Sequence, residues 1–381
     1  MDFTFNPEQQ QLADSVRRWL AKDYSFETRR AIIHSERGVS ERAWATLVEL
    51  GLTALPVPEQ HGGFGGGPVD MLAVMQELGR GLLVEPYLAT VLGARFLTLA
   101  GNQQVLLARV ANGDLKLACA FGEAQSRHAL DDIATSASVA EGGFILSGSK
   151  RVVVHGAQAG ALIVSARSAG GQCDQDGISL FVMPSDAPGV AIQDYRTIDG
   201  QRAATVTLHQ VLLPASALLG PAGGAWELLD AGADYGAGLL CFEAIGVLDA
   251  LFATTLEYLK TRSQFGAPIG KFQVLQHRMA DMYIHLEQAR SMALLAAAKL
   301  AAEDVAQRRR CISAAKFRIG QAATFIGQQA VQLHGGIGVT DELPAAHLFK
   351  RLTTIALTLG DGDHHLQRFI ATPGFLAETI G

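Results

Sequence analysis

The spacing of apolar residues changes twice along the chain, and these changes constrain the fold more than any other feature. From residue 7 to about 115 the apolar residues recur at helical spacing, and the first such run, PEQQQLADSVRRWLAKD, opens on Pro7, a favoured helix start. Between about 116 and 218 they alternate as in strands, for example in ATVTLHQVLL. After Pro221 the helical spacing returns in long segments. The pattern predicts a mainly α chain with a small antiparallel β domain in its middle.

The length of the chain supports more than one domain. With 381 residues, and about 100–200 residues in a typical domain, two or three structural units are expected. The two changes of pattern place the boundaries between them. We therefore predict an N-terminal helical domain over 1–115, a β domain over 116–218 and a C-terminal helical bundle over 219–381.

Composition narrows the functional classes. Nearly half of the residues are apolar (49%) and the net charge is only −6, which argues against a disordered chain and against a nucleic-acid binder with a basic face. The first twenty residues lack the basic start and apolar run of a signal peptide, and no stretch approaches eighteen uncharged apolar residues. We predict a cytoplasmic enzyme that acts on small molecules, without a membrane or nucleic-acid partner.

The most unusual short stretch is GDGDHHLQR at 360–368, which brings together Asp361, Asp363, His364 and His365. Such side chains bind Zn, Mn or Fe, but no other Asp/His cluster is present to complete a metal site, so we predict none. Asp361 or Asp363 could instead cap a closing helix that begins near 362, because Asp is a favoured N-cap residue. The third interpretation is an acid-base centre. The residues alone leave a helix cap and an acid-base centre open.

Two longer stretches resemble a known family. They are TRSQFGAPIGKFQVLQHRMADM at 261–282 and QLHGGIGVTDELPAAHLFKRL at 332–352, and both are similar to signature segments of acyl-CoA dehydrogenases. The family consists of flavoproteins with an N-terminal helical domain, a small antiparallel β-barrel or sandwich domain and a C-terminal four-helix bundle, in the order predicted above. Within it, the chain most resembles the small-subunit branch of pimeloyl-CoA dehydrogenases, with heteromeric steroid-degrading dehydrogenases as more distant relatives.

The resemblance implies FAD as the cofactor, held across a subunit interface. In such a site a guanidinium such as that of Arg262 makes forked bonds to phosphate, and glycines let the backbone pass close to the neighbouring subunit's cofactor. A helix-end salt bridge and a helix C-cap are the structural alternatives for these two motifs. A shared site implies a dimer, a tetramer or a heteromer with a large-subunit homologue. The residues to which the resemblance assigns cofactor contacts are Arg262, Gln264, Phe265, Phe272, Gln332, Gly335, Gly336, Asp363 and His365.

The resemblance also implies a reaction, the α,β-dehydrogenation of an acyl-CoA thioester. A carboxylate takes the α-proton, the β-hydrogen leaves as hydride to flavin N5, and an electron-transferring flavoprotein receives the electrons. The family commonly has Glu where this chain has Asp361, which we predict to be the base. Asp363 and His365 would follow in the helix, Asp363 as a possible cap and His365 facing cofactor or solvent. Glu243 is the second candidate base, and its alternative role is that of a buried partner for a basic residue.

The chain departs from the family in two places, at Asp361 and in the strand beside the flavin ring. Asp is one methylene, about 1.5 Å, shorter than Glu, a difference large enough to matter for proton transfer. Family members often have Trp and Thr in the strand beside the flavin ring, and Val152 and Val154 stand at those positions. These departures keep two other functions open, a non-catalytic or half-site subunit of a heteromeric dehydrogenase and an oxidase-type relative that uses O₂.

Overall fold

The structure is a computed structural model that describes residues 4–373. The outermost parts of the first and third predicted domains, residues 1–3 and 374–381, lie outside this range. Six helices come first along the chain: α1 (Pro7–Asp23), α2 (Phe26–His34), α3 (Glu41–Glu49), α4 (Pro68–Arg80), α5 (Tyr87–Ala100) and α6 (Gln104–Ala111).

Eight strands follow, and then the long helices. The strands are β1 (Leu117–Ala120), β2 (Ser136–Ala140), β3 (Gly143–Val154), β4 (Ala161–Arg167), β5 (Ile178–Pro184), β6 (Val190–Arg196), β7 (Arg202–Pro214) and β8 (Leu218–Leu219). After them come α7 (Trp226–Thr261), the two-residue strands β9 (Ser263–Gln264) and β10 (Ala267–Pro268), α8 (Gln273–Lys299), α9 (Val305–His334), α10 (Pro344–Leu357) and α11 (Gly362–Ala371). The predicted order of helices, strands and helices is confirmed.

By its internal contacts the chain forms two compact units. The bundle unit contains the residues up to Arg30, Gly67–Leu83 and the residues from Ala237 onward, and the sheet unit contains Ala31–Gly66 and Val84–Gly236. The boundary between them falls within α7. The three domain ranges that the sequence suggests stay a prediction.

The large sheet belongs to the sheet unit and is mixed rather than purely antiparallel. Its strands run in the order β6-β7-β3-β2-β4-β5-β8, and β1 pairs in parallel with β4 from Leu117 to Ala120. Because the connection from β1 to β4 contains the hairpin of β2 and β3, it acts as a crossover, and a crossover leaves two strands parallel. The path of paired strands does not close within the described residues, so the central β domain is present as predicted, but as an open sheet and not a closed barrel.

Helix α7 is the first and longest helix of the C-terminal segment. It is long and apolar enough to cross a membrane, but 72% of its most apolar window is buried within the protein. Burial of this kind is expected for the core helix of a folded domain. Helices α8 and α9 of the bundle unit also bury apolar faces, formed by Met279, Met282 and Leu286 on α8 and by Ile312, Ile319 and Ile326 on α9.

Candidate functional site

Asp361 lies at the junction between α10 and α11. Its side chain is the N-cap of α11, where Oδ1 accepts a hydrogen bond of 2.9 Å from the backbone N–H of His364. The side chain is half-buried. Asp363 lies exposed in the first turn, where its negative charge suits the helix dipole. The helix therefore begins where the sequence predicts, but a cap at Asp363 is wrong, because the N-cap is Asp361, whose side chain accepts the N–H of His364.

The loop before Asp361 has an unusual backbone. Leu359 has φ of 54° and Gly360 has φ of 106°. A Cβ at position 360 would lie 2.5 Å from Cδ2 of His364 and 2.6 Å from Nε2 of His365, so both backbone and packing require glycine there. The conformation of this loop places the Asp361 carboxyl group relative to the rest of the bundle unit.

His365 packs beneath that loop rather than facing outward. It is 3% exposed, and its Nε2–H donates to the backbone oxygen of Leu359 at 2.9 Å. Burial, helped by the Lys316 ammonium, lowers the pKa of His365 to about 2, so the ring is neutral. The expectation that this ring faces cofactor or solvent is wrong as regards solvent, because the ring is used to hold the loop. A cofactor contact through it stays a prediction.

Lys316 of α9 reaches the same loop from the other side. Its Nζ donates to the backbone oxygens of Gly360 at 2.9 Å and of Ala356 at 3.3 Å. The residue is 3% exposed. Burial lowers the pKa of its ammonium to about 8, against the opposing attraction of Cys241 and Asp361. Sequence analysis did not identify this lysine, although it follows the helical spacing of the apolar residues that α9 buries, which is a signal that the sequence carries.

Glu243, the second candidate base, is engaged elsewhere. Its two carboxylate oxygens accept from Nε and Nη2 of Arg351 at 2.5 and 2.7 Å, and both side chains are buried. A forked pair of this kind holds α7 to α10. The predicted alternative, a buried partner for a basic residue, is confirmed.

The residues of the first signature motif surround a small hairpin formed by β9 and β10. Phe265 and Gly266 form its two-residue turn, both with positive φ (55° and 79°), as hairpin turns of this length favour. Arg262 and Gln264 are exposed, and Phe265 is 91% exposed. Its ring meets Phe272 edge to face, with ring centroids 6.1 Å apart. The hairpin therefore presents an aromatic side chain and a guanidinium to the outside of this chain.

The second motif ends α9. Gln332, Gly335 and Gly336 are exposed. Gly335 has φ of 66°, which explains a glycine at the end of a helix. At Gly336 no such reason exists, because a Cβ built there meets nothing within 4 Å in the described part of the chain. The open space at Gly336 leaves the backbone accessible to another molecule.

A stacked pair joins the two motifs. The rings of Tyr258, at the end of α7, and His334, at the end of α9, lie 4.5 Å apart, and the Tyr258 hydroxyl donates to the backbone oxygen of His334 at 3.3 Å. His334 donates from Nδ1 to Ala330, which leaves Nε2 as an acceptor. That atom is buried and has no hydrogen-bond partner within residues 4–373. It is a buried acceptor with unused capacity next to the exposed glycines.

The remaining predicted positions lie in the sheet unit. Val152 is 61% exposed and has φ of 52°, at a register shift between β3 and β7. Next to it, Lys150 is fully buried and donates to Glu123 at 2.6 Å. Burial alone would raise the pKa of Glu123, but the Lys150 ammonium and hydrogen bonds lower it to about 2. This pair anchors the start of loop 122–131 beside the strand that carries Val152 and Val154.

Metal-ligating side chains do not cluster in the described region. Within residues 4–373, no three His, Cys, Asp or Glu side chains lie close enough to hold one metal ion. The loop that leads into Asp361 is instead bonded by an ammonium at Gly360 and by a neutral imidazole at Leu359, and Asp361 itself bonds to the backbone N–H of His364. These are groups that fix a loop and a carboxylate.

Comparison with protein-family models gives three matches, which together cover most of the chain. Residues 6–114 match the acyl-CoA dehydrogenase N-terminal domain, residues 118–211 the middle domain and residues 223–372 the C-terminal domain. Acyl-CoA dehydrogenase FadE12 of Mycobacterium tuberculosis (strain ATCC 25618 / H37Rv) is 30% identical, over 93% of this chain and 93% of its own length.

Chains of solved structures also match this chain over almost its whole length. The ChsE4-ChsE5 complex from Mycobacterium tuberculosis matches with a TM-score of 0.86 and 27% identity, over 97% of both chains. The FAD complex of PigA matches with a TM-score of 0.87 and 25% identity, over 97% of this chain and 98% of that one.

Proposed function

The chain belongs to the acyl-CoA dehydrogenase family, and on that basis we propose that it removes the α-proton of an acyl-CoA thioester with Asp361 while the β-hydrogen leaves as hydride. The family, the enzyme class and FAD as the cofactor were all predicted from the sequence and are confirmed. The branch within the family stays a prediction.

The exposed motifs of the bundle unit fit FAD. When bound, FAD supplies the hydride acceptor. The Arg262 guanidinium is exposed and suited to phosphate, and Phe265 offers an exposed ring beside it. Gln332, Gly335 and Gly336 offer an uncovered stretch of backbone, and Nε2 of His334 is a buried acceptor without a donor. These observations support a cofactor site that a second chain completes, and hence a dimer, tetramer or heteromer.

The placement of Asp361 is the observation that carries the proposal. A general base needs a carboxylate that a fixed backbone holds at hydrogen-bond distance from the proton it removes. Asp361 is half-buried, caps α11, and follows a loop held by both Lys316 and His365. A loop held at two points compensates for a short side chain, because the backbone rather than the side chain sets the reach.

The test compares Asp361→Asn with Asp304→Asn, the same substitution at the N-cap of α9. Asn is as good an N-cap as Asp, so Asp361→Asn keeps the helix but cannot accept a proton. We expect the rate of flavin reduction by acyl-CoA to fall by at least about 100-fold in Asp361→Asn, the usual contribution of a general base. Asp304→Asn, at an exposed N-cap whose side chain accepts the Gln307 N–H at the start of α9, should reduce flavin at close to the original rate. An undiminished rate in Asp361→Asn would remove the base assignment.

A second candidate is a half-site subunit of a heteromeric dehydrogenase. It is favoured by Val152 and Val154, which offer no side-chain donor where family members often have Thr, and by the likeness to a chain of the ChsE4-ChsE5 complex. A protein that retains flavin only when co-expressed with a large-subunit homologue would support this candidate.

The electron acceptor separates two forms of the catalytic proposal. The proposed partner is an electron-transferring flavoprotein, and an oxidase-type enzyme would instead form peroxide from O₂ without one. The cytoplasmic location also stays a proposal, supported by the burial of α7 within the protein.

A further inference from the structure

Lys316 lies at a position of α9 where the helical spacing predicts a buried apolar residue. Its neighbours on the buried face of α9 include Ile312, Ala315 and Ile319, and all are buried. An ammonium taken out of water costs free energy unless charged or polar groups surround it. A lysine at this position therefore needs a reason that packing does not supply.

The Lys316 ammonium bonds to backbone groups, and burial lowers its pKa against the opposing attraction of Cys241 and of the nearby Asp361 carboxylate. These hydrogen bonds go to two backbone oxygens, those of Gly360 and Ala356. Ala356 lies in the last turn of α10, where unpaired carbonyl groups and the helix dipole favour a cation. Gly360 directly precedes Asp361. The ammonium thus joins α9 to the end of one helix and to the residue before the proposed base.

The loop that receives this bond needs support from outside itself. Leu359 and Gly360 both have positive φ, which is unfavourable for a leucine. His365 holds the oxygen of Leu359, and Lys316 holds the oxygen of Gly360. Two consecutive carbonyl groups are therefore fixed by two buried side chains from different helices.

We propose that Lys316 is a positioning residue for Asp361: by holding the Gly360 carbonyl it sets the backbone from which the shorter Asp side chain reaches the substrate. The inference rests on the proposed function. Lys316 itself neither gives nor takes a proton in the reaction, so its loss should leave cofactor and thioester binding intact and slow the proton-transfer step alone.

Lys316→Met tests this, with Lys350→Met as the matched control. Lys350 lies on α10 and pairs with Asp341 at the surface, so its loss should not affect the loop. In Lys316→Met we expect amide hydrogen exchange at residues 358–362 to rise by about tenfold, as expected for one lost hydrogen bond. We expect the rate of flavin reduction to fall by about 100-fold, with flavin content and the Kd for acyl-CoA changed by less than about threefold.

A second variant keeps the test decisive if Lys316→Met does not fold. Lys316→Gln retains an N–H donor of shorter reach without the charge, and it should show smaller changes of the same kind. Faster exchange in the loop with an unchanged reduction rate would overturn the positioning role, and so would unchanged exchange. These outcomes are distinct from a failure of the base assignment, which Asp361→Asn reports separately because it leaves the Gly360 carbonyl and its bond to Lys316 in place.

Discussion

In the proposed mechanism, the Asp361 carboxylate is both a helix cap and the base. Oδ1 already accepts the His364 N–H as a helix cap, and the proposed reaction needs the same group to accept a proton from carbon. When the base takes up the proton, its hydrogen bond to the N-terminus of α11 becomes weaker, because a protonated side chain is a poorer acceptor than a carboxylate. Each turnover would then couple the charge of Asp361 to the N-terminus of this helix.

His365 makes the stability of the protein depend on pH in a predictable direction. Its pKa is about 2 in the folded chain and near 6.5 in an unfolded one, so the unfolded state takes up the proton first as the pH falls. The stabilisation is fully present above about pH 6.5 and is lost progressively below it, by about 1.4 kcal/mol per pH unit.

Urea unfolding measures this contribution at about pH 7 and about pH 5.5. His365→Gln retains an N–H donor for Leu359 but has no proton to gain, so we expect its loss of stability over this interval to be smaller by about 1 kcal/mol. Equal losses in the original protein and the variant would show that the ring is not buried and neutral.

At the scale of helices and strands, the sequence predicted what depends on local signals. The start of α11 near 362 follows from an Asp cap, and the start of α1 follows from Pro7. The parallel pairing of β1 with β4 was missed, because register between distant strands leaves no local mark. For Glu243, the sequence predicted a buried acid with a basic partner. It did not identify that partner, Arg351, which lies 108 residues away.

In the candidate site, too, the sequence predicted the residues that have local signals and missed those that depend on distant contacts. Asp361 and the exposed motifs on the hairpin and at the end of α9 carry sequence signatures. Lys316 was missed because its partner is a backbone oxygen 44 residues away, which has no side chain that a sequence pattern could reveal. His365 was misplaced because two adjacent histidines at a helix start do not indicate which one turns inward.

The end of α9 gives a test of the cofactor site. We expect Gly336→Leu to lower the flavin content of the purified protein by at least about tenfold, because the new side chain fills the space left for another molecule. The free energy of unfolding of the flavin-free protein should stay within about 0.5 kcal/mol, because a Cβ there meets nothing in this chain.

Gly320→Leu is the control for that substitution. Gly320 lies within α9, the helix that Gly336 follows, and a Cβ there also meets nothing within 4 Å in the described residues. We expect this variant to keep its flavin. A Gly336→Leu protein with normal flavin content would argue against cofactor contact at the end of α9.

For the whole molecule, the proposed site is incomplete in a single chain. The hairpin and the end of α9 are both exposed. Phe265 exposes a large apolar ring, and burying that ring against another chain would be favourable. Either a second copy of this chain or a homologous large subunit would cover these groups. Which of the two does so decides whether the protein needs a different subunit for activity. The central claim is that copies of this chain catalyse the reaction without a large-subunit homologue.

The most direct test is the visible absorption spectrum of the purified protein, recorded anaerobically before and after the addition of a mixture of acyl-CoA thioesters. A dehydrogenase that works without a large-subunit partner should show a bound flavin whose absorption band bleaches as the thioester reduces it. A colourless protein, or a flavin band that no thioester bleaches, would contradict this account and favour the half-site subunit.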